Sequence, residues 1–221
     1  MGRPGTKTAL VALTVATGTL DVSAFLRLGG VFASVMTSNL VFVALAAVHA
    51  EAALGRHCAT ALVSYVMGAG AGSAAARPSG KVNRLGARRL SLLFTAEAGL
   101  LAVYAIWWVA AGARPQGWSQ TSLLGAATFA MGLQSAAARD LGQPDAGTTY
   151  LTGTLTGLVA AVVTGRRPAV GAVISLFGLL AGAAMGAALL ESVPDATPFL
   201  AVMGVALAAG SSWDDRWSRR A

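Results

Sequence analysis

The sequence predicts an all-α protein, a single polytopic helical bundle in a lipid bilayer, and three observations predict it. Only 11% of the 221 residues are charged, while 55% are hydrophobic, and the mean hydropathy is +0.65. A soluble domain covers its surface with roughly 25% charged residues. The apolar residues fall into eight runs near the length of a spanning helix, roughly 20 residues at 1.5 Å each. The 27 glycines follow no collagen period and no disordered tract. In a membrane protein, small residues let helices approach closely.

The segments are 8–28, 31–48, 58–76, 90–112, 120–138, 149–164, 169–190 and 197–212. The first follows a short basic stretch, but it is too long for a signal peptide and contains Asp21, so it reads as the first helix. The sixth and eighth are short, and the second and sixth begin at Gly- and Thr-bearing breaks.

Loop charge decides which segments cross. If all eight cross, the sides carry nine and seven Lys/Arg, which is no bias. If the second and sixth enter and leave on one side, Arg3, Lys7, Arg77, Lys81, Arg84, Arg88, Arg89, Arg139, Arg166, Arg167, Arg216, Arg219 and Arg220 share a side. Only Arg27, Arg56 and Arg114 then lie opposite. Cytoplasmic loops are the basic ones. The expectation is therefore six crossings, two broken or re-entrant segments, and both termini in the cytoplasm. The net charge of +7 has this same origin. No basic stripe with interleaved aromatics suggests nucleic acid.

The same assignment predicts an internal repeat in one domain spanning 1–221, about 8–112 against 120–212. GTLDVSAFLRLGGVFASVMTSNLV in the first half resembles MGLQSAAARDLGQPDAGTTYLTGTLT in the second. Asp21 aligns with Gln134, and MTSNL (36–40) with LTGTL (151–155). With three crossings between the first and fifth segments, the halves are inverted. Inverted repeats with discontinuous helices recur in secondary transporters, with the binding site where the breaks meet.

These segments also resemble a known family. G-x-x-D followed by FLRLGGVFASVMTSNLV, then GLQSAAAR followed by TTYLTGTLTGL, is similar to the YoaK-type bacterial membrane proteins of unknown function. The resemblance covers essentially the whole chain. It implies a bacterial inner-membrane protein and no established substrate. Ser38 stands where that family usually has glycine.

The candidate binding residues follow from membrane depth. Asp21 and Glu97 are acids inside apolar segments, where a charge is costly and by default functional. They are the candidate proton- or cation-coupling pair; the alternatives are a packing role for Asp21 and snorkelling for Glu97. Thr37, Ser38 and Asn39 open the second segment, and Thr152, Gly153 and Thr154 open the core of the sixth, preceded by Thr148 and Thr149. Such residues cap helix starts. If two such starts face each other in the membrane, their free N–H groups can hold an anion. Gln134 is the polar counterpart of Asp21.

Gly68, Gly72, Gly178, Gly182 and Gly186 recur at four-residue spacing. They predict close helix packing, with homodimer contact as the alternative. Trp107, Trp108, Trp118, Trp213 and Trp217 near segment ends read as interface anchors. Cys58 is the one cysteine and reads as a small buried residue. His49, His57 and Glu51 fit no metal spacing. No phosphate loop, nucleophile elbow or zinc-protease motif is present, so no enzyme, cofactor or metal is expected. The expected function is proton-coupled secondary transport of a small solute. The alternatives are a channel or a non-transporting scaffold, and last a lipid-directed enzyme.

Overall fold

This computed structural model describes residues 4–76, 84–140 and 151–217, and eight α-helices occur among them. They are α1 (Pro4–Arg27), α2 (Met36–Val48), α3 (Ala52–Ala76), α4 (Arg84–Ala110), α5 (Gly117–Asp140), α6 (Leu151–Val163), α7 (Val170–Ser192) and α8 (Thr197–Trp217). A short 3₁₀ turn, Pro194–Ala196, leads into α8. No strand occurs among the described residues. Helix is what lipid demands, because every backbone polar group must be satisfied within its own segment. Arg3, Arg77, Lys81, Thr148, Thr149, Arg219 and Arg220 lie outside the described residues.

Four stretches are long and apolar enough to cross a membrane: Thr8–Arg27, Ala52–Ala75, Ser91–Ala110 and Val170–Ser192. Helices α5 and α8 are long enough but more polar. Much of α5 is turned inward, and its Thr128, Gln134 and Ser135 are buried. Helices α2 and α6 have 13 residues each, about 20 Å of helix against a hydrocarbon core of about 30 Å.

Packing sets the helix directions. Helices α1 and α7 run parallel: Gly178 meets Thr14, Gly182 meets Val15, and Gly186 meets Thr19 and Val22. Helices α3 and α5 are parallel too, with Gly68 on Phe129 and Gly72 on Leu133 and Ala136. At the end of α1, Arg27 Nη2 donates to the Leu190 carbonyl of α7 (3.2 Å). There the Arg27 carbonyl accepts from Gln120, near the start of α5 (3.1 Å). So α1 and α7 end at the face of the bundle where α5, and with it α3, begins. The chain between α1 and α3, including α2, therefore leaves and returns at that face. By the same directions α6 leaves and returns at the opposite face.

The contacts of the first four helices recur in the last four. Gly132 follows Gly18 by 114 positions, and Gly182 and Gly186 follow Gly68 and Gly72 by the same 114. A Cβ at Gly18 would strike the Leu179 carbonyl oxygen and Ala183 nitrogen of α7; one at Gly132 would strike those of Tyr65 and Ala69 of α3. Again 114 apart, Thr14 and Thr128 turn their hydroxyls onto the Leu10 and Leu124 carbonyls, both at 2.9 Å. Likewise α1 on α8 matches α5 on α4, and α2 on α3 matches α6 on α7. This register pairs Asp21 with Ser135, and Gln134 with Leu20. The glycine spacing differs by one residue from the Asp21–Gln134 alignment.

Other expectations shift as well. Helix α2 starts at Met36 rather than 31, because Gly29 and Gly30 take left-handed φ values of 109° and 75° and turn the chain. Helix α3 begins at Ala52 and α4 at Arg84, each six residues before the apolar run. Trp108 is not an interface anchor. It is fully buried, and its indole N–H donates to the Pro194 carbonyl (3.0 Å). Its ring lies 5.9 Å from that of Tyr104.

Replacing Gly182 or Gly68 by alanine should lower stability by about 1–3 kcal/mol, because each added methyl meets a backbone carbonyl rather than a movable side chain. The same change at Gly157, which faces open space, should leave the melting temperature unchanged or raise it slightly. Thermal unfolding in detergent checks the contrast.

Candidate functional site

Asp21 lies on α1 six residues, about 9 Å, below Arg27. It is 7% exposed, and its partner is the loop that follows its own helix. Ser34 donates its N–H to Oδ1 (2.7 Å) and its hydroxyl to Oδ2 (2.6 Å). The Ala33 N–H also points at the carboxyl. Several donors converge on one acid, which is how a carboxylate is accommodated away from water.

Asn39, fully buried in the first turn of α2, grips the same loop from the other side. Its Oδ1 accepts the Phe32 N–H (3.0 Å), and its Nδ2 donates to the Phe32 carbonyl (2.7 Å). The Phe32 ring stacks between Phe25 (5.2 Å) and Phe42 (6.3 Å). Residues 28–35 thus form an arch pinned by an acid from α1 and an amide from α2. Asn39 braces this arch rather than presenting an empty amide. Thr37 is exposed and Ser38 half-buried.

The other candidates lie elsewhere. Gln134 on α5 is fully buried and donates Nε2 to Thr17 Oγ1 of α1 (2.9 Å). Its Oε1 has no hydrogen-bond partner among the described residues. Glu97, in the middle of α4, is 1% exposed, and neither of its oxygens has a partner there. On α6, Thr152 and Gly153 are exposed and Thr154 is buried. Helix α2 packs on α3, whereas α6 packs on α7. The two helix starts therefore do not meet each other. Asp21 and Asn39 come together, Gln134 joins Thr17, and Glu97 is held apart on α4.

An apolar recess of about 360 Å³ lies in the crook of α2 and α3, lined by Val43, Ala46, Ala47, Ala50, Glu51 and Gly55. None of the polar candidates lines it.

Sequence reading did not single out Ser34, Thr17 or Tyr104. Ser34 was inside an apolar run, and nothing in its spacing from Asp21 marks a loop that folds back. Thr17 is one of several threonines whose hydroxyls bond to their own helix, as it does to Leu13 (2.9 Å).

Apolar helices of spanning length, packed through glycine and with polar groups turned inward, define a polytopic helical membrane protein. Within that class, the chain belongs to the family described as "Protein of unknown function (DUF1275)", which matches residues 9–211. The YoaK-type resemblance is consistent with that family. No curated protein and no solved structure matches the chain.

Removing the Asp21 carboxylate with Asp21→Ala should free the arch and cost about 1–3 kcal/mol, since Ser34 loses two bonds in a buried site. Amide hydrogen exchange at Ala33 and Ser34 should rise at least tenfold, while exchange at the core of α7 stays unchanged. Equal change in both regions would show that Asp21 holds the whole bundle, not the arch.

Proposed function

We propose that the protein is a proton-coupled secondary transporter of a small solute in a bacterial inner membrane. Glu97 carries this reading. An acid buried in mid-span with neither oxygen bonded among the described residues is costly as a bare carboxylate. It is stable there when it holds a proton, and a residue that holds a proton at membrane depth is positioned to exchange it. Asp21, with both carboxyl oxygens accepting from the arch, is the structural acid of the pair.

The architecture favours the same reading. The 114-residue correspondence of contacts supports an inverted repeat, because α1 and α5 occupy matching places and run in opposite directions. Six helices then cross, and α2 and α6 enter from opposite faces as re-entrant segments. The basic residues at the α3–α4 connection and around the α6–α7 turn support a cytoplasmic position for the face at which α6 enters, and for both termini. Helices that stop within the membrane and halves of opposite orientation are the parts from which alternating access is built.

A second reading, a non-transporting scaffold, is favoured by Asp21 itself. Its bonds stay within its own half and tie a loop rather than line a cavity.

In proteoliposomes with an imposed proton gradient, a screen of small solutes should find one taken up faster than in protein-free vesicles. Glu97→Gln should cut gradient-driven uptake at least tenfold, and Thr37→Ala, at an exposed position, should change it less than twofold. Wild-type accumulation by Glu97→Gln would sink the coupling assignment. Absence of any solute flux would leave the scaffold.

A further inference from the structure

We propose that a file of water molecules runs along the buried face of α4 and delivers protons to Glu97 from the two faces of the bundle. The observation is a set of orphaned oxygens on three helices that pack together. Ser91 Oγ, both carboxyl oxygens of Glu97, Tyr104 Oη, Gln134 Oε1 and Thr197 Oγ1 are buried without a hydrogen-bond partner among the described residues. All lie on α4 or on α5 and α8, which pack against it.

Buried polar atoms are nearly always bonded, so a group of orphans in one region calls for a partner. Water fits this set: hydroxyls both donate and accept, an amide oxygen accepts, and a buried water makes two to four such bonds. A metal ion fits less well. No group of three His, Cys, Asp or Glu that could hold one occurs among the described residues.

Glu97 and Tyr104 are seven residues apart, two turns along one face of α4, which is about 10.5 Å; Ser91 lies about 9 Å the other way along the axis and about 120° round the helix. Hydrogen-bonded oxygens sit about 2.8 Å apart, so two or three waters bridge Glu97 to Tyr104, and more are needed to reach Ser91. The neighbouring helices place their orphans at matching heights. The bond from Trp108 to Pro194 sets α4 against α8. Running the other way, α8 brings Thr197 level with Ala105, beside Tyr104. The connection from α4 to α5 turns at 111–116, so Gln134 comes level with about Phe94, between Ser91 and Glu97. From Ser91 to Tyr104 the path covers about 20 Å of a hydrocarbon core about 30 Å thick.

Transfer along the file needs no other reactant. Each water accepts a proton on one side and releases one on the other, and the Glu97 carboxyl takes up and returns a single proton. The path rests on the transport reading for its purpose, since it supplies the coupling proton.

Infrared spectroscopy of the full chain in lipid vesicles, without any solute, tests it. The carbonyl band of a protonated carboxyl that disappears in Glu97→Gln belongs to Glu97. In D₂O this band should shift within minutes in the wild type. It should shift at least tenfold more slowly in the double variant Ser91→Ala with Tyr104→Phe, provided that variant keeps the wild-type melting temperature. Single Tyr104→Phe, which keeps the ring against Trp108, should also slow the shift and serves if the double variant does not fold. A Glu97 band that keeps its position in D₂O for hours overturns the water file, as does the absence of such a band or unaltered exchange in the variants. Rapid exchange in a protein that moves no solute would sink transport alone. Slow exchange in a protein that does transport would sink the file alone.

Discussion

Direct contact between helix backbones is the constraint on which the rest of this structure depends. Lipid tails are as apolar as leucine, so burying leucine against leucine brings little gain. The helices must instead come close enough for dispersion and carbonyl contacts to add up. Gly18 against α7 and Gly182 against α1 interlock, as do Gly132 against α3 and Gly68 against α5. These two parallel pairs, set against each other by the bond from Gln120 to the Arg27 carbonyl, fix the directions of α1, α3, α5 and α7. Once those are fixed, the short helices α2 and α6 have no choice of face: each must return where it left. The discontinuities of the fold follow from where glycine permits contact.

How much of this was legible depended on whether the signal was local. Eight apolar runs were readable because lipid imposes helix on any long apolar stretch. The glycine spacing in α7 and α3 was readable because four residues bring small side chains to one face. The arch was not. Residues 31–35 are as apolar as the helix that follows, and only the left-handed turn at Gly29 and Gly30, together with a bond between Asp21 and Ser34, separates them. Trp108 misled for a similar reason. It sits at a segment end, where tryptophan often meets headgroups, but the turn at Pro194 folds over it.

The two buried acids illustrate opposite solutions to one problem. Asp21 stays in the membrane by gathering N–H and O–H donors from a loop only 13 residues away, so its charge is balanced by dipoles that belong to the same turn of chain. Glu97 gathers nothing from the described residues. Sequence alone ranked them together as intramembrane carboxylates. Geometry separates them, one bonded to a loop and one without a hydrogen-bond partner among the described residues.

The separation of contacts along the chain also bears on how the protein is made. The fastenings of the arch, Asp21 to Ser34 and Asn39 to Phe32, span 13 and 7 residues. They are complete as soon as the first hairpin has left the ribosome. The clasp of Arg27 on Leu190 spans 163 and must await almost the entire polypeptide. The face of α1 around Gly18, which receives α7, therefore gains its partner only late in the order of the chain.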